Sequence, residues 1–470
     1  MTMAGAGSKR LSLGRIVVFA LASLPVSALA TALLIYLPPH LATQLGVPLA
    51  VVAGTWAAVR LIDIGVDPIL GVLMDRTRSV IGRYRPWMIA GTPILMLAVF
   101  MLFFAPVGVG KPYLVGWLFL LYVALSILAL AHPAWAATLA KGYNDRSRIF
   151  GIMAAVAILA LLVVLSIPVI AGRRGLGDAG AIHAMGWFVI LLSPFAIGFA
   201  IVFTPERVAP RHRSDTGFRL GDVLLVLRRT DLLRLYAAQM AMTMGPGWMS
   251  SIYIFFTRDY MGFSQAQASM LLLAYVLAGL AGAPFTAWLS TKIGKHRTVM
   301  AIAVAYSVGL LTVLLAPKGV LLGSVPVNLW CGFAGAGFEL TLRSMLADVA
   351  DEVRLDHGKD RLSLIYSLNT AAAKLASAGA IIVSFRLLAG FGYLPKLGHA
   401  NTPDAIRGLG ITFVAGPIAC VVLGALFMIG WKMTAEKHAA IRIALEARDA
   451  EAALGGADGE HLGDAAEAAA

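Results

Sequence analysis

Long apolar runs alternate with short polar segments along almost the entire chain. Twelve of these runs approach or exceed the roughly 20 residues that an α-helix needs to cross about 30 Å of hydrocarbon. Each run is predicted to be a helix, because a lone segment in lipid must satisfy its own backbone hydrogen bonds. The predicted transmembrane helices cover residues 16–37, 47–74, 86–106, 112–140, 148–171, 184–203, 232–257, 265–290, 298–316, 320–350, 361–390 and 406–432.

The composition supports this all-α integral membrane fold. Hydrophobic residues make up 59% of the 470 positions and charged residues only 13%, whereas a soluble domain carries about 25% charged residues. A soluble fold of this length could not hide so much apolar surface, because its own surface must stay polar. The net charge of +13 does not indicate a nucleic-acid partner, since the basic residues form short clusters between apolar runs.

Most basic residues lie at span ends on the side that holds the two chain termini. Of the 38 Lys and Arg residues, 27 fall on that side, 8 on the other and three inside the spans. The positive-inside rule therefore predicts a multi-pass inner-membrane protein with both termini in the cytoplasm. The first run follows Lys9, Arg10 and Arg15, as a signal peptide can, but it is longer than an ordinary signal core and favours a first span.

A basic segment in the middle of the chain separates two sets of six spans. The predicted domains are an N-terminal bundle (1–203), a cytoplasmic loop (204–230), a C-terminal bundle (231–434) and a flexible polar tail (435–470). Residues 81–85 (Ile-Gly-Arg-Tyr-Arg) follow the second span, and residues 293–297 (Ile-Gly-Lys-His-Arg) follow the eighth. Such an echo is typical of two parallel repeats, although a basic turn between any two helices can look alike.

Charged side chains inside the spans are functional candidates, because placing one in the bilayer costs roughly 2.5–3.5 kcal/mol on insertion scales. Arg60, Asp63 and Asp67 share one face of the second span at spacings of three and four. Two carboxylates one turn apart repel unless a cation, a proton or a basic partner lies between them. The pattern predicts a coupling-ion site, and a structural ion-pair cluster with Arg60 is the alternative.

Lys374 lies deep in the eleventh span. Asn369 and Thr370 precede it by about one turn, and Tyr366 by about two. An unpaired ammonium at this depth would be strongly unfavourable, so a carboxylate of the second span is its predicted partner. A purely structural buried pair is the alternative to a coupling role.

The tenth span contains Glu339 and Arg343 at i and i+4, which can bind substrate or simply pair with each other. His132, before Pro133, is either a group that titrates near neutrality or a hydrogen-bonded structural histidine. The glycine-rich residues 332–337 are interpreted as a close-packing helix face. The sequence contains no catalytic or phosphate-binding motif and no metal or disulfide pattern of cysteines, so neither an enzyme nor a cofactor is predicted.

Two blocks and one short segment of the sequence carry a family resemblance. The first block reads Arg-Leu-Ile-Asp-Ile-Gly-Val-Asp-Pro-Ile-Leu-Gly at 60–71 and Gly-Arg-Tyr-Arg-Pro-Trp at 82–87. The second reads Ala-Asp-Val-Ala-Asp at 347–351, Ile-Tyr-Ser-Leu-Asn-Thr at 365–370 and Gly-Phe-Gly-Tyr at 390–393, and the segment is Pro-Ala-Trp at 133–135. Together they closely resemble the glycoside–pentoside–hexuronide:cation symporters, the melibiose-permease type within the major facilitator superfamily.

The resemblance implies two six-helix bundles that work by alternating access. In the family's pattern, Asp63 and Asp67 hold the coupling cation, and Lys374 lies between the cation site and the substrate site. The candidate substrate-binding residues are Trp135, Asn369, Thr370, Tyr366, Ser27, Arg343 and Glu339, the last at a position where the family has an aromatic residue.

The sequence departs from the family at several positions. Charged substrate contacts of the first, fourth and fifth spans correspond to Ser27, Ala131 and Met153, which weakens the expectation of galactoside binding. Oxygen ligands of the sodium users correspond to Val66 and Leu128. A proton needs only one carboxylate of suitable pKa, so coupling to protons is favoured over coupling to sodium.

The predicted function is cation-coupled symport of a sugar, a glycoside or a sugar acid, with H⁺ favoured over Na⁺. Asp63 and Asp67 would be metal ligands only if the coupling ion is Na⁺. Transport of an amphiphile or another non-sugar metabolite, such as a lysolipid, is the alternative within the same class. A membrane enzyme would need a reactive group at the interface, and a transport-inactive sensor would need a signalling domain; the sequence shows neither. The expected partners are a small-molecule substrate and the lipid bilayer, and a monomer is expected.

The charge asymmetry generates a test of topology. Alkaline phosphatase fused near Lys437 should be inactive, because this position is predicted to stay in the cytoplasm. A fusion near Lys318, on the opposite side, is the matched control and should be active. An active fusion near Lys437 would contradict the predicted orientation.

Overall fold

The computed structural model describes residues 12–139, 143–206, 220–357 and 362–448. Within these ranges the chain forms helices and turns and contains no strand. The first span combines α1 (Leu13–Ala20), α2 (Ser23–Thr31), a π-helical turn (Ala32–Tyr36) and α3 (Leu37–Thr43). The other helices of the first half are α4 (Leu49–Arg76), α5 (Arg85–Phe103), α6 (Lys111–Leu139), α7 (Tyr143–Arg173) and α8 (Gly177–Phe203).

The second half follows a short helix, α9 (Leu220–Leu227), which lies in the predicted central loop. Residues 207–219 of that loop lie outside the described residues. The helices of the second half are α10 (Thr230–Phe255), α11 (Gln265–Ile293), α12 (Lys295–Val313), α13 (Leu321–Gly335), α14 (Gly337–His357), α15 (Leu362–Gly390) and α16 (Pro403–Leu426). Helices α13 and α14 form one span with a break at Ala336.

The prediction of twelve transmembrane helices is confirmed. Among the described residues, eleven segments are long and apolar enough to cross a membrane. The twelfth helix is α10, which has 26 residues and carries Asp231, Arg234 and Gln239 among its apolar side chains. The last predicted span is too long, because α16 ends at Leu426 and a turn follows where the prediction continues to residue 432.

Helices α11 and α13 pack with their backbones in contact, and glycine makes this possible. A Cβ atom on Gly282 would overlap the backbone of Phe333, and a Cβ atom on Gly332 would overlap the backbone of Tyr275. Only a residue without a side chain lets two helix backbones approach so closely. The interpretation of the glycine-rich segment as a close-packing face is therefore confirmed at Gly332.

The two halves meet through α4 against α15 and through α7 against α11. On the side away from the termini, the Tyr36 and Ser269 hydroxyls are buried and lie 2.8 Å apart. On the same side, the Lys396 side chain packs against Gly46. These contacts join the first half to the second and close the space between them on that side.

The two echoed basic loops are each held by a carboxylate, but in different ways. Glu206 accepts hydrogen bonds from the successive backbone N–H groups of residues 83, 84 and 85 at 2.6, 2.8 and 3.2 Å. In the second half, Lys295 Nζ donates to the two oxygens of Asp348 at 2.8 and 2.6 Å. Both contacts fix the turn between the second and third spans of a half, on the side of the termini.

Residues 435–448 form a helix, whereas the polar composition predicted a flexible tail from residue 435 onward. This C-terminal helix docks on the end of α14, where His438 Nε2 lies 3.0 Å from Asp351 Oδ2. Ile441 and Leu445, four residues apart, are buried. Their apolar face and the polar contacts to α14 explain why this part of the tail is ordered. The rest of the tail lies outside the described residues.

Enlarging Gly332 tests the backbone contact between α11 and α13. Gly332→Ala should lower the melting temperature of the purified protein, because overpacking a tight interior costs about 1–3 kcal/mol. Thermal unfolding in detergent, followed by tryptophan fluorescence, measures the change. Gly151→Ala is the matched control, since a Cβ atom on Gly151 in α7 meets nothing within 4 Å. Equal melting temperatures for the two variants would contradict the close contact.

Candidate functional site

The intramembrane charges of the two halves meet between α4 and α15. Lys374 Nζ donates a hydrogen bond to Asp63 Oδ2 at 2.8 Å and another to Asp67 Oδ2. The spacing of four residues places both carboxylates on one face of α4, and Lys374 reaches between them from α15. The predicted pairing of Lys374 with carboxylates of the second span is confirmed.

Asp63 is the more enclosed of the two carboxylates. Its side chain is 2% exposed, against 23% for Asp67. Ser126 on α6 donates to Asp63 Oδ1 at 2.9 Å, and Arg60 Nη1 lies 3.4 Å from Asp63 Oδ2. The Arg60 guanidinium is itself held over the Tyr122 ring, with Cζ 4.3 Å from the centroid. Asp63 is therefore fixed by donors from three helices.

Asp67 keeps one acceptor free. Its Oδ1 is buried and has no hydrogen-bond partner among the described residues. The cluster of Arg60, Lys374 and the two carboxylates is electrically balanced, so a cation that arrives at Asp67 competes with Lys374 for negative charge. The described part of the chain contains no group of three or more His, Cys, Asp or Glu able to hold a metal ion. The arrangement can exchange one cation for another, which is the basic step of ion coupling.

A cavity of about 270 Å³ lies next to this charge cluster. Ser377 lines the cavity from α15, one helical turn from Lys374. Glu339 lines it from α14, and polar side chains of α10 form another part of the wall. The cavity and the charge cluster therefore share α15.

The predicted pair of Glu339 and Arg343 forms, with 2.6 Å between Oε1 and Nη2. Both side chains are exposed, at 63% for Glu339 and 60% for Arg343. The Tyr366 hydroxyl donates to the Arg343 carbonyl at 3.2 Å, and the exposed Thr370 hydroxyl donates to the Tyr366 carbonyl at 3.0 Å. These residues extend from the cavity toward the side of the termini.

Of the seven predicted substrate contacts, Glu339 lines the cavity and the other six do not. Arg343, Tyr366 and Thr370 lie beside it, whereas Trp135, Ser27 and Asn369 are placed elsewhere. Trp135 is fully buried in the first half, with Phe19 5.1 Å from it in an edge contact and the Arg85 guanidinium 5.5 Å from its ring centroid. Ser27 is half-buried on α2, and Asn369 is buried on α15. The Trp135 ring therefore packs against residues of the first half.

His132 is a hydrogen-bonded residue of the interior. Its Nε2 lies 3.0 Å from the Phe19 carbonyl oxygen, and its Nδ1 lies 3.5 Å from the Ser23 hydroxyl. The ring also packs against the Phe19 ring at 4.4 Å between centroids. This environment favours the structural alternative for His132.

The polar wall of the cavity on α10 escaped the sequence analysis. Gln239, Thr243 and Ser250 lie on one face of α10 at spacings of four and seven residues. Each residue is uncharged, and a single neutral polar residue in a span does not by itself indicate a binding site. Their shared helical period within an apolar span is the signal that could have found them.

Comparison with known proteins gives a consistent result. Residues 18–435 match the profile of the family described as MFS/sugar transport protein. The chain is 23% identical over 406 residues to an isoprimeverose transporter of Lactiplantibacillus pentosus, covering 83% of this chain and 82% of the relative. It is 22% identical over 416 residues to a sodium-dependent lysophosphatidylcholine symporter of Danio rerio, covering 80% and 78%. The solved nucleoside transporter NupG has the same fold, with a TM-score of 0.65 at 14% identity, covering 90% of this chain and 100% of that one.

These similarities extend over nearly all of the described chain, and the matched proteins are membrane transporters rather than enzymes. The twelve helices, the two halves joined at an intramembrane charge cluster and the adjoining cavity agree with a transporter of small molecules. The family expected from the sequence is thereby confirmed. The chain belongs to the MFS/sugar transport protein family of multi-pass membrane transporters.

Proposed function

We propose that the protein is a cation-coupled symporter of a sugar, a glycoside or a sugar acid, working by alternating access in the cell inner membrane. The observation that carries this proposal is the contact of Lys374 in the second half with Asp63 and Asp67 in the first half. An ion can bias the arrangement of the halves only if it binds the two arrangements with different affinity. This site meets that condition, because Lys374, which competes with the ion for the carboxylates, belongs to the other half and leaves them when the halves part.

The coupling step follows from competition for the carboxylates. Without a bound cation, Lys374 holds α15 against α4. A cation that binds Asp67 through its free Oδ1 weakens the attraction of that carboxylate for the ammonium group. The contact between the halves then loosens, and α15 also carries Ser377 of the cavity wall. Ion binding and substrate binding are thus linked through one helix.

H⁺ is the proposed coupling ion, and Na⁺ is the second candidate. Hard cations are bound by several oxygen ligands, but Ser126, Arg60 and Lys374 already donate to Asp63. A proton needs one carboxylate oxygen, and Asp67 Oδ1 offers one. Na⁺ is the second candidate because one relative is described as sodium-dependent. In that case Asp63 and Asp67 would be the ligands of the Na⁺ ion.

A sugar-type substrate is supported by the isoprimeverose transporter among the relatives and by the amide and hydroxyl groups of the cavity wall. The lysophosphatidylcholine symporter, matched at similar identity, makes an amphiphile the second candidate. The cavity of about 270 Å³ is closer in size to a small ring compound than to a lipid with an acyl chain. Both termini are proposed to lie in the cytoplasm, and the protein is proposed to work as a monomer.

Neutralising either carboxylate tests the ion site. Asp63→Asn and Asp67→Asn should insert normally but show no accumulation above equilibrium, because an amide neither takes up a proton nor balances a cation. Proteoliposomes supplied with labelled sugars, glycosides and sugar acids measure uptake under separately imposed pH and Na⁺ gradients.

Asp404→Asn is the matched control for these variants. The Asp404 side chain is 88% exposed in its pair with Arg407, at the start of α16, so its loss should leave accumulation unchanged. Wild-type accumulation by both Asp63→Asn and Asp67→Asn would refute an ion site at α4. Uptake driven by the Na⁺ gradient alone would replace H⁺ by Na⁺ in the proposal.

Removing Lys374 separates a coupling role from a structural one. Lys374→Ala should lower the melting temperature, because removing one partner of a buried ion pair costs about 3–5 kcal/mol. Adding Asp67→Ala should recover much of that stability, since the uncompensated carboxylate is gone. The double variant should nevertheless fail to concentrate substrate.

Uptake by the double variant with and without an imposed gradient is the decisive measurement. Downhill exchange without accumulation is the expected result, because the substrate site is retained while the ion no longer affects the contact between the halves. Accumulation at the wild-type level would mean that the pair is only structural.

A further inference from the structure

The wall of the central cavity is chemically one-sided. Its polar side chains come from α10, α14 and α15 of the second half. Among the described residues, the first half contributes the apolar side chain of Leu34. A ligand in this cavity therefore makes its hydrogen bonds to the second half and presents its less polar face to the first.

Gln239, which lines this wall, has a polar atom without a partner among the described residues. The residue is 4% exposed, and its Nε2 donates to Thr243 Oγ1 at 2.8 Å. Its Oε1 is buried and has no hydrogen-bond partner among the described residues. A buried acceptor without a partner is unfavourable, so a ligand group that donates a hydrogen bond would satisfy it.

The proline within α10 supplies a second acceptor. Pro246 and Met242 both line the cavity. Because proline has no N–H group, the Met242 carbonyl four residues earlier lacks the helical donor that it would otherwise have. This carbonyl and Gln239 lie about one turn apart on the same helix.

Glu339 supplies a charged hydrogen-bond acceptor, and the positive charge of Arg343 already balances its negative charge. It lies in the first turn of α14, where the backbone N–H groups of a helix stabilise negative charge. Its Oε1 pairs with Arg343 at 2.6 Å. Glu339 lines the cavity, and Arg343 lies one turn away toward the side of the termini.

We propose that this wall selects the hydroxyl groups of an uncharged, polyhydroxylated substrate, with Gln239 and Glu339 as the residues that set the selectivity. The inference rests on the transport function proposed above and narrows its substrate class. Three acceptors on one wall favour a ligand that donates hydrogen bonds. A hydroxyl group can donate to Gln239 or Glu339 and also accept from the neighbouring Thr243 hydroxyl.

Charge balance disfavours the charged alternatives. A carboxylate or phosphate in the cavity would compete with Glu339 for Arg343 and would meet the apolar Leu34. An ammonium group would compete with Arg343 for Glu339 and leave the guanidinium without its partner. An uncharged ligand leaves the Glu339–Arg343 pair intact.

Matched compounds test this selectivity in proteoliposomes. The uncharged probes are xylose, glucose, galactose and their methyl glycosides. The charged probes are glucuronate and galacturonate, with a carboxylate on the same rings, and glucosamine, with an ammonium group. Lysophosphatidylcholine is the zwitterionic, amphiphilic probe. We expect saturable uptake of at least one uncharged sugar and about tenfold weaker competition by its charged counterpart.

Two variants assign the selectivity to the wall. Gln239→Leu should raise the KM for the uncharged sugar about tenfold, because the substrate hydroxyl loses its partner. Glu339→Gln leaves Arg343 as an unbalanced positive charge at the wall and should shift the uptake ratio about tenfold toward the uronate. A merely structural role for Glu339 would lower the uptake of both classes equally.

Glu446→Gln is the matched control for Glu339→Gln. It removes the carboxylate of another exposed i, i+4 pair, with Arg442 in the C-terminal helix, and should leave the ratio unchanged. The shift in melting temperature that each probe causes in the purified protein measures binding independently of ion coupling.

The outcomes separate failure of the inference from failure of the proposed function. Saturable uptake confined to uronates, glucosamine or lysophosphatidylcholine would overturn the selectivity and leave transport intact. An unchanged uptake ratio in Glu339→Gln would also overturn it. Neither binding nor saturable uptake of any probe would overturn both proposals.

Discussion

The ion pair of Lys374 with Asp63 and Asp67 is the interaction on which the rest of the structure depends. At the depth of this ion pair, Arg60, Asp63 and Asp67 give α4 a net charge of −1, and Lys374 gives α15 a charge of +1. Neither half is electrically complete by itself, because an unpaired charge at membrane depth is strongly unfavourable. The halves can separate here only if another cation replaces the ammonium group or if the charges find new partners. Charge balance, in addition to packing, therefore limits how the halves can move.

Helix α15 connects this constraint to the adjoining cavity. Lys374 faces the carboxylates, and Ser377, one turn further along, faces the cavity. A small shift of α15 therefore reaches both places, since a helix moves as a rigid element over a single turn. The contact of Tyr36 with Ser269 joins the halves on the side away from the termini, and the exposed Arg343 lies nearer the termini.

The sequence predicts most of the fold because a single segment in lipid can satisfy its backbone hydrogen bonds only as a helix. Length and apolarity therefore identify each spanning helix. It also predicts the charge cluster, since charges at membrane depth stand out and need partners. The cavity wall was missed because Gln239 and Thr243 are neutral, and only their shared period along α10 distinguishes them from other polar residues of a span. Trp135 matched a family segment, but its position depends on aromatic packing that no single segment encodes. The polar composition of the tail did not predict its short helix. The apolar residues Ile441 and Leu445 of this helix are buried only because it docks on the end of α14.

The C-terminal helix makes the motion of the molecule observable from outside the membrane. His438 lies 3.0 Å from Asp351 and 3.6 Å from Asp348 at the end of α14, so this helix is attached to the second half. A spectroscopic label on its exposed face reports the orientation of that half without altering the path of ion or substrate. A second label on the turn clamped by Glu206 reports the first half. The distance between the two labels then reports the separation of the two halves on the side of the termini.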